Sequence, residues 1–298
     1  MSIFEDLYPY LPAEIVSLSK NIRESDVTEL RLCRNKPVLV SRGNHTLMLH
    51  DKTANKVIFT NRMMDYTVDK LTGGSLYSVN EYIKEGFVTL RGGHRVGICG
   101  TAVVRDEGVS HIKHISALCF RIAREVKGCA LELMGELVSG EGLCNVLIAS
   151  PPGCGKTTVL RDICRLISNG ELPIGIRRVG IADERGEIAA SVCGEPAFDV
   201  GVASFVCDGY PKSFAMMSML RSMCPDVIVT DEIGTEADFC GIENALRCGV
   251  NVIATAHSGG MHDLKRRFGT ALKSFDKIVF LKGRGKVSRI VRRTTDDY

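Results

Sequence analysis

The residues with the clearest chemistry stand in one run, Asn145-Val-Leu-Ile-Ala-Ser-Pro-Pro-Gly-Cys-Gly-Lys-Thr-Thr158. An apolar strand there feeds a glycine-containing loop that opens a helix, the local context in which backbone wraps a phosphate. The N–H groups from Gly153 to Thr158 can surround a β-phosphate, and the first helical turn adds the positive end of its dipole. Lys156 then reaches the β and γ oxygens, while the Thr157 hydroxyl takes a place on Mg2+. Ser150, Pro151, Pro152, Gly153, Cys154, Gly155, Lys156, Thr157 and Thr158 are therefore the expected ATP-binding segment, with Mg2+ as the second cofactor. The usual pattern G-x-x-x-x-G-K-[ST] has Ser150 at its first position here. That residue shapes the turn more than it touches phosphate, so the departure is tolerable.

A second apolar run, Val227-Ile-Val-Thr-Asp-Glu232, ends in two acids. Asp231 is placed to hold Mg2+ through water. Glu232 can orient or deprotonate an attacking water, which distinguishes hydrolysis from binding alone. The cluster Asp183-Glu-Arg-Gly-Glu187 follows another candidate strand and is expected at the same C-terminal sheet edge, with Glu184 as the reserve base. His257 ends the run Asn251-Val-Ile-Ala-Thr-Ala256 and is expected to bond the γ-phosphate and report its loss to a neighbouring subunit. His111 and His114 lack a visible third ligand, so they read as surface residues.

Those residues must be positioned by regular elements. Candidate strands at 144–149, 177–182, 226–230, 250–255 and 276–281 alternate with helical stretches such as 155–168, whose Val159, Leu160, Ile163, Leu166 and Ile167 share one face. Such alternation predicts an α/β fold with a mostly parallel sheet. Met216, Met219, Leu220 and Met223 recur at helical spacing as a core stripe. Upstream the pattern is mixed: helices over 10–25 and 61–71, strands over 30–40 and 57–60, and a hairpin of 86–91 with 95–104 turning at Gly92-Gly93. Glycines at 128, 135, 140 and 142 interrupt the periodicity between the halves. The expected organisation is a smaller N-terminal α+β domain, 1–130, followed by a P-loop domain, 131–298.

Composition narrows the classes. With 298 residues, 45% hydrophobic and 24% charged, the chain has globular averages, which disfavours disorder and fibrous folds. A net charge of +3 is too balanced to make nucleic acid the default partner. Twelve scattered cysteines without any C-x-x-C argue for buried, reduced thiols and a reducing cytoplasm rather than a zinc site or disulfides. The longest apolar runs fall far short of a membrane-spanning helix.

Taken together, Leu220-Arg-Ser-Met-Cys-Pro-Asp-Val-Ile-Val-Thr-Asp-Glu-Ile-Gly234 and Ala254-Thr-Ala-His257 resemble the secretion ATPases of type II and type IV systems. Ile115-Ser-Ala-Leu-Cys-Phe-Arg-Ile-Ala-Arg-Glu-Val126, the Asp183 block and Asp231-Glu-Ile-Gly-Thr235 narrow the likeness to the stage III sporulation AA family of endospore-forming bacteria, over most of residues 75–285. The resemblance implies a RecA-like core, a hexameric ring, a cytoplasmic location at a membrane complex on the mother-cell side, and channel or secretion proteins embedded in that membrane as partners. It also implies an arginine finger. Arg95 and Arg121 lead the candidates, with Arg91 and Arg124 beside them.

The rival reading is a nucleic-acid-dependent RecA-like ATPase, supported by the basic stretch Lys282-Gly-Arg-Gly-Lys-Val-Ser-Arg-Ile-Val-Arg-Arg293. A terminal hairpin turning at 283–285 with a solvated outer face explains that stretch better, because no stacking aromatics are interleaved, and no nucleic-acid partner is expected. A small-molecule kinase would gain nothing from Glu232 beside Asp231. A nucleotide-binding scaffold without turnover is the remaining alternative.

Overall fold

The computed structural model describes residues 5–19, 27–43, 45–73, 87–105, 108–140, 142–283 and 285–293. Contacts divide the chain into two units, Met1–Arg124 and Glu125–Tyr298.

In the first unit α1 covers Ala13–Ser19, β1 Val27–Cys33, β2 Lys36–Pro37, β3 Leu39–Arg42, β4 His45–Met48, β5 Ile58–Phe59, α2 Asn61–Thr72, β6 Phe87–Thr89, β7 Arg95–Arg105 and β8 Gly108–Arg121. Six of the strands form an antiparallel sheet in the order β4-β3-β1-β8-β7-β6. Phe59, Leu32, Met64, Leu118 and Phe120 are fully buried in its core. The single strand expected over 30–40 is instead divided among β1, β2 and β3. Asn35 turns the chain at φ +54°, a left-handed conformation that Asn tolerates better than most residues, and β1 folds back on β3. The helix expected from residue 10 begins only at Ala13, because Leu11 precedes Pro12 and is held extended; residues 20–26 lie outside the described part. β6 and β7 pair as the expected hairpin, and Gly86 of that expectation also lies outside the described residues.

In the second unit α3 is a single turn, Met134–Leu137, and β9 Val138–Ser139 pairs with β10 Gly142–Leu143. There follow β11 Val146–Ser150, α4 Lys156–Ser168, β12 Val179–Asp183, β13 Ser204–Asp208, α5 Lys212–Ser222, β14 Val227–Thr230, α6 Glu236–Arg247, β15 Asn251–His257, α7 Met261–Phe268, β16 Lys277–Lys282 and β17 Lys286–Arg292. The seven-stranded sheet runs β13-β12-β14-β15-β11-β16-β17, parallel except for the last pair. Every residue of β11, β12 and β14 is buried, as strands covered on both faces require. Alternation along β11 serves the two faces. Val146 and Ile148 join Val159, Leu160 and Ile163 of α4, while Leu147 and Ala149 join Met216, Met219, Ile242 and Leu264 on the other side.

The five expected strands and the helix over 155–168 are all present. β13 was not anticipated: at the sheet edge its residues are only half-buried, so no strong apolar run marks it. In the methionine stripe, Met216 and Met219 are in the core, but Met223 is 47% exposed, because it caps α5 at its C-terminus rather than continuing the buried face. The cysteines also depart from expectation. All twelve are free thiols, yet only Cys144 and Cys164 are buried, and Cys99, Cys193, Cys224, Cys240 and Cys248 are exposed. No helix among the described residues is long and apolar enough to cross a membrane.

Candidate active site

β11 ends at Ser150, and the loop from Pro151 to Gly155 curls back through two left-handed glycines, Gly153 at φ +74° and Gly155 at φ +89°. A side chain would strain both positions. Gly155 is the N-cap of α4 and brings no side chain to its first N–H groups, which leaves them open to an anion. The loop is braced from the far end of the unit. Gly285, in the turn between β16 and β17, donates its N–H to the Cys154 carbonyl at 2.7 Å. A Cβ on Gly285 would come within 2.8 Å of Val159 Cγ2 on α4.

Lys156 is 4% exposed and folded back onto the loop. Its Nζ donates to the carbonyls of Ser150 at 3.2 Å and Pro151 at 3.3 Å, and meets His257 Nδ1 at 2.8 Å. Burial pushes its ammonium below the ordinary lysine range. The parallel register pairs Ser150 with His257, which is why the histidine reaches the phosphate loop. On its other side His257 Nε2 lies 2.6 Å from Glu232 Oε1, and Arg185 holds Glu232 Oε2 at 3.0 Å. An ammonium only donates, so Nδ1 is the accepting nitrogen and the imidazole proton sits on Nε2, pointing at the carboxylate. Lys156, His257, Glu232 and Arg185 thus form one unbroken chain of polar contacts.

Glu232 leaves β14 in a left-handed conformation, φ +39°, and its N–H bonds Thr255 Oγ1 at 2.8 Å. This sparsely populated backbone swings the carboxylate over the end of β15 to His257. Asp231, one residue earlier, is fully buried and neither carboxylate oxygen has a hydrogen-bond partner. Its nearest cation is Lys212 Nζ at 3.9 Å, within ion-pair range but too long for a hydrogen bond. Burial, helped by the neighbouring Asp183 carboxylate, pushes Asp231 up to about 7. A buried carboxylate without hydrogen-bond partners is what a cation site needs and suits Mg2+, and Thr157, the other expected ligand, stands in the first turn of α4.

The second acid cluster divides its work. Asp183 is fully buried and accepts the N–H groups of Glu187 at 2.7 Å, Ile188 at 3.1 Å and Ala189 at 2.8 Å, so it shapes the turn after β12 and is no solvated acid. Glu184 is paired with Lys212 at 2.7 Å. Of the arginines, Arg95 and Arg121 face each other across β7 and β8, Arg95 lies over the Phe87 ring at 4.8 Å, and Arg124 donates to the Val27 carbonyl at 2.7 Å. All four lie in the first unit, with Arg91 in the turn before β7. Sequence reasoning missed Lys212, Thr255 and the contact of Arg185 with Glu232. Arg185 stands inside the acid block already singled out, whereas Lys212 carries no local signal.

The family described as Sporulation stage III, protein AA matches residues 5–295. Stage III sporulation protein AA of Bacillus subtilis (strain 168) is 38% identical over 276 residues, which is 89% of this chain and 86% of that protein. Protein SEEDLING PLASTID DEVELOPMENT 1 of Arabidopsis thaliana is 32% identical over 146 residues, 48% of this chain and 20% of its own length. Among solved structures, the ATPase DotB of Yersinia pseudotuberculosis superposes with a TM-score of 0.64 at 15% identity, covering 97% of this chain and 82% of that one. The pilus retraction motor PilT with bound ADP gives 0.54 at 16% identity, covering 90% and 76%. These likenesses establish the fold as α/β with the RecA-like core of the secretion ATPases.

Proposed function

Because this chain belongs to the sporulation stage III protein AA family, we propose that it is a Mg2+-dependent ATPase that works as a motor of the secretion-ATPase type. In this reading it acts as a head-to-tail hexameric ring and powers a channel between mother cell and forespore through membrane-embedded partners. The observation that carries the enzymatic part is the chain from Lys156 through His257 to Glu232 beside the unpartnered Asp231. Ser150 to Thr158 would hold the phosphates of ATP, and Thr157 and Asp231 would hold Mg2+, which supplies charge compensation at the β and γ oxygens.

An arriving γ-phosphate competes with His257 Nδ1 and the loop carbonyls for the Lys156 ammonium. Lys156 turns to the phosphate, and His257 is released on one side while its Nε2–H still orients Glu232. The carboxylate of Glu232 then accepts the proton of the attacking water. Ring ATPases close the exposed side of such a site with a cation from a neighbour, and Arg95 and Arg121 are the residues assigned that role here. Glu232→Gln tests the reading. It should keep nucleotide affinity and lower turnover by about 100-fold or more, the loss expected for a missing general base. Normal hydrolysis by that variant would remove Glu232 from the role and leave Glu184 as the candidate.

A further inference from the structure

The second unit holds a cavity of about 580 Å3 away from the phosphate loop, between α7, the helical turn Gly269–Ser274, β16 and β17. Its floor is apolar: Leu272, Phe275, Ile278 and Val291 line it. Its rim is cationic. Lys265, Lys273 and Arg289 stand there with no ion pair to any described residue, while Arg292 is taken by Glu136 at 2.5 Å and the Asp276 carboxylate by the Asn145 N–H at 2.8 Å. Three cations with no ion pair among the described residues, set around an apolar hollow of this size, call for a ligand with apolar side chains and carboxylates next to them.

We propose that this cavity docks an acidic amphipathic segment of a partner protein, its apolar side chains in the hollow and its carboxylates on Lys265, Lys273 and Arg289. The hollow encloses a few side chains and falls short of the paired acyl chains of a lipid. The site is also wired to the phosphate loop. Met261 and Arg289 line both this cavity and a second one, about 210 Å3, that reaches Ser150 and Pro151. Arg267, on the helix that carries Lys265, donates to the His257 carbonyl. A segment seated against α7 therefore bears on the histidine that joins Lys156 to Glu232. This coupling, unlike the docking itself, rests on the ATPase reading above.

The test uses the full chain and a fluorescein-labelled synthetic helix of leucine and glutamate, with a leucine–lysine helix as the charge control. Anisotropy should show saturable binding of the acidic helix alone. The triple variant Lys265→Glu, Lys273→Glu, Arg289→Glu should weaken it about tenfold, the loss expected when three exposed ion pairs go together. These side chains are exposed, so the variant should retain the native melting profile. Equal binding of both helices, or an unchanged Kd in the variant, overturns the proposal. So does binding to phosphatidylglycerol vesicles that the variant loses while the acidic helix never binds, which would make the cavity a lipid site. A variant whose only change is its sedimentation behaviour would assign the face to contacts between copies and overturn it equally. Nucleotide affinity measured with the acidic helix bound should shift several-fold. Because peptide binding is read without ATP, its failure and a failure of the ATPase reading remain separable.

Discussion

Replacing Asp231 by Asn should stabilise the metal-free protein at pH 8, although it removes a residue of the proposed nucleotide site. The folded chain holds this carboxylate at about 7 against an ordinary 3.8, chiefly through burial. At ~1.4 kcal/mol for each tenfold in proton affinity, that difference comes to about 4 kcal/mol of instability once the group is forced to ionise above pH 7. Its sign follows from proton counting. Between pH 4 and 7 the native state binds the proton that the unfolded state has lost, so the contribution of Asp231 to stability is intact at the acid end and disappears as pH rises to 7. At pH 5 rather less than half of it is gone, leaving a change of roughly 2 to 3 kcal/mol between pH 5 and pH 8. Urea unfolding of the wild type and Asp231→Asn in EDTA at both pH values isolates this change, because the desolvation of the Asn amide is the same at each. The variant should gain on the wild type by that amount as pH rises, and Mg2+ should restore the wild type and leave the variant unmoved. A gap between the two proteins that does not vary with pH would refute the claim that Asp231 is a buried carboxylate lacking a partner.

Lys156→Ala should abolish nucleotide binding in equilibrium dialysis with ATP, since the ammonium that the variant removes is the one folded onto the loop carbonyls of Ser150 and Pro151. The assignment of Arg95 or Arg121 to a neighbour's nucleotide is checked by mixing: a Lys156→Ala chain with intact arginines should partly restore turnover to an Arg95→Ala, Arg121→Ala chain, and no recovery in any mixture would end the trans-acting ring. Thr235→Ala should cost about 1 kcal/mol or somewhat more in urea unfolding, because the hydroxyl accepts the Asp238 N–H while the Asp238 carboxylate accepts the Thr235 N–H.

The sequence was most informative where chemistry and local structure are written in adjacent residues. The apolar run before Ser150, the left-handed glycines 153 and 155, Lys156 and the acids after Thr230 are all local features, and the fold they imply is the one observed. Contacts created by strand order were less legible. Lys212 reaches Asp231 and Glu184 because β12 lies beside β14 and α5 starts near their ends, a neighbourhood with no counterpart in sequence spacing. Asp183 was read as an acid at the sheet edge, yet three backbone N–H groups claim it. The reversal at Asn35 has a weak local cue, Asn35 followed by Pro37, which the apolar residues on both sides outweigh in a reading by pattern alone. His257 was placed by its strand end, but its position between Lys156 and Glu232 needed the register of β11 with β15.

The support of the phosphate loop from Gly285 has a consequence for synthesis of the chain. β11 finds its two neighbours far downstream: Val146 pairs with Ile253 and with Lys277, and the Cys154 carbonyl waits for Gly285. Contacts of such sequence separation form late, after the entropy of closing long loops has been overcome. A nascent chain leaving the ribosome therefore carries Ser150 to Thr158 exposed but unbuilt, and acquires the shaped loop only when the hairpin of β16 and β17 has folded onto it. Products truncated before this hairpin would have all of Ser150 to Thr158 and still lack the brace that shapes them, so a broken chain would carry the sequence of the loop without its fold.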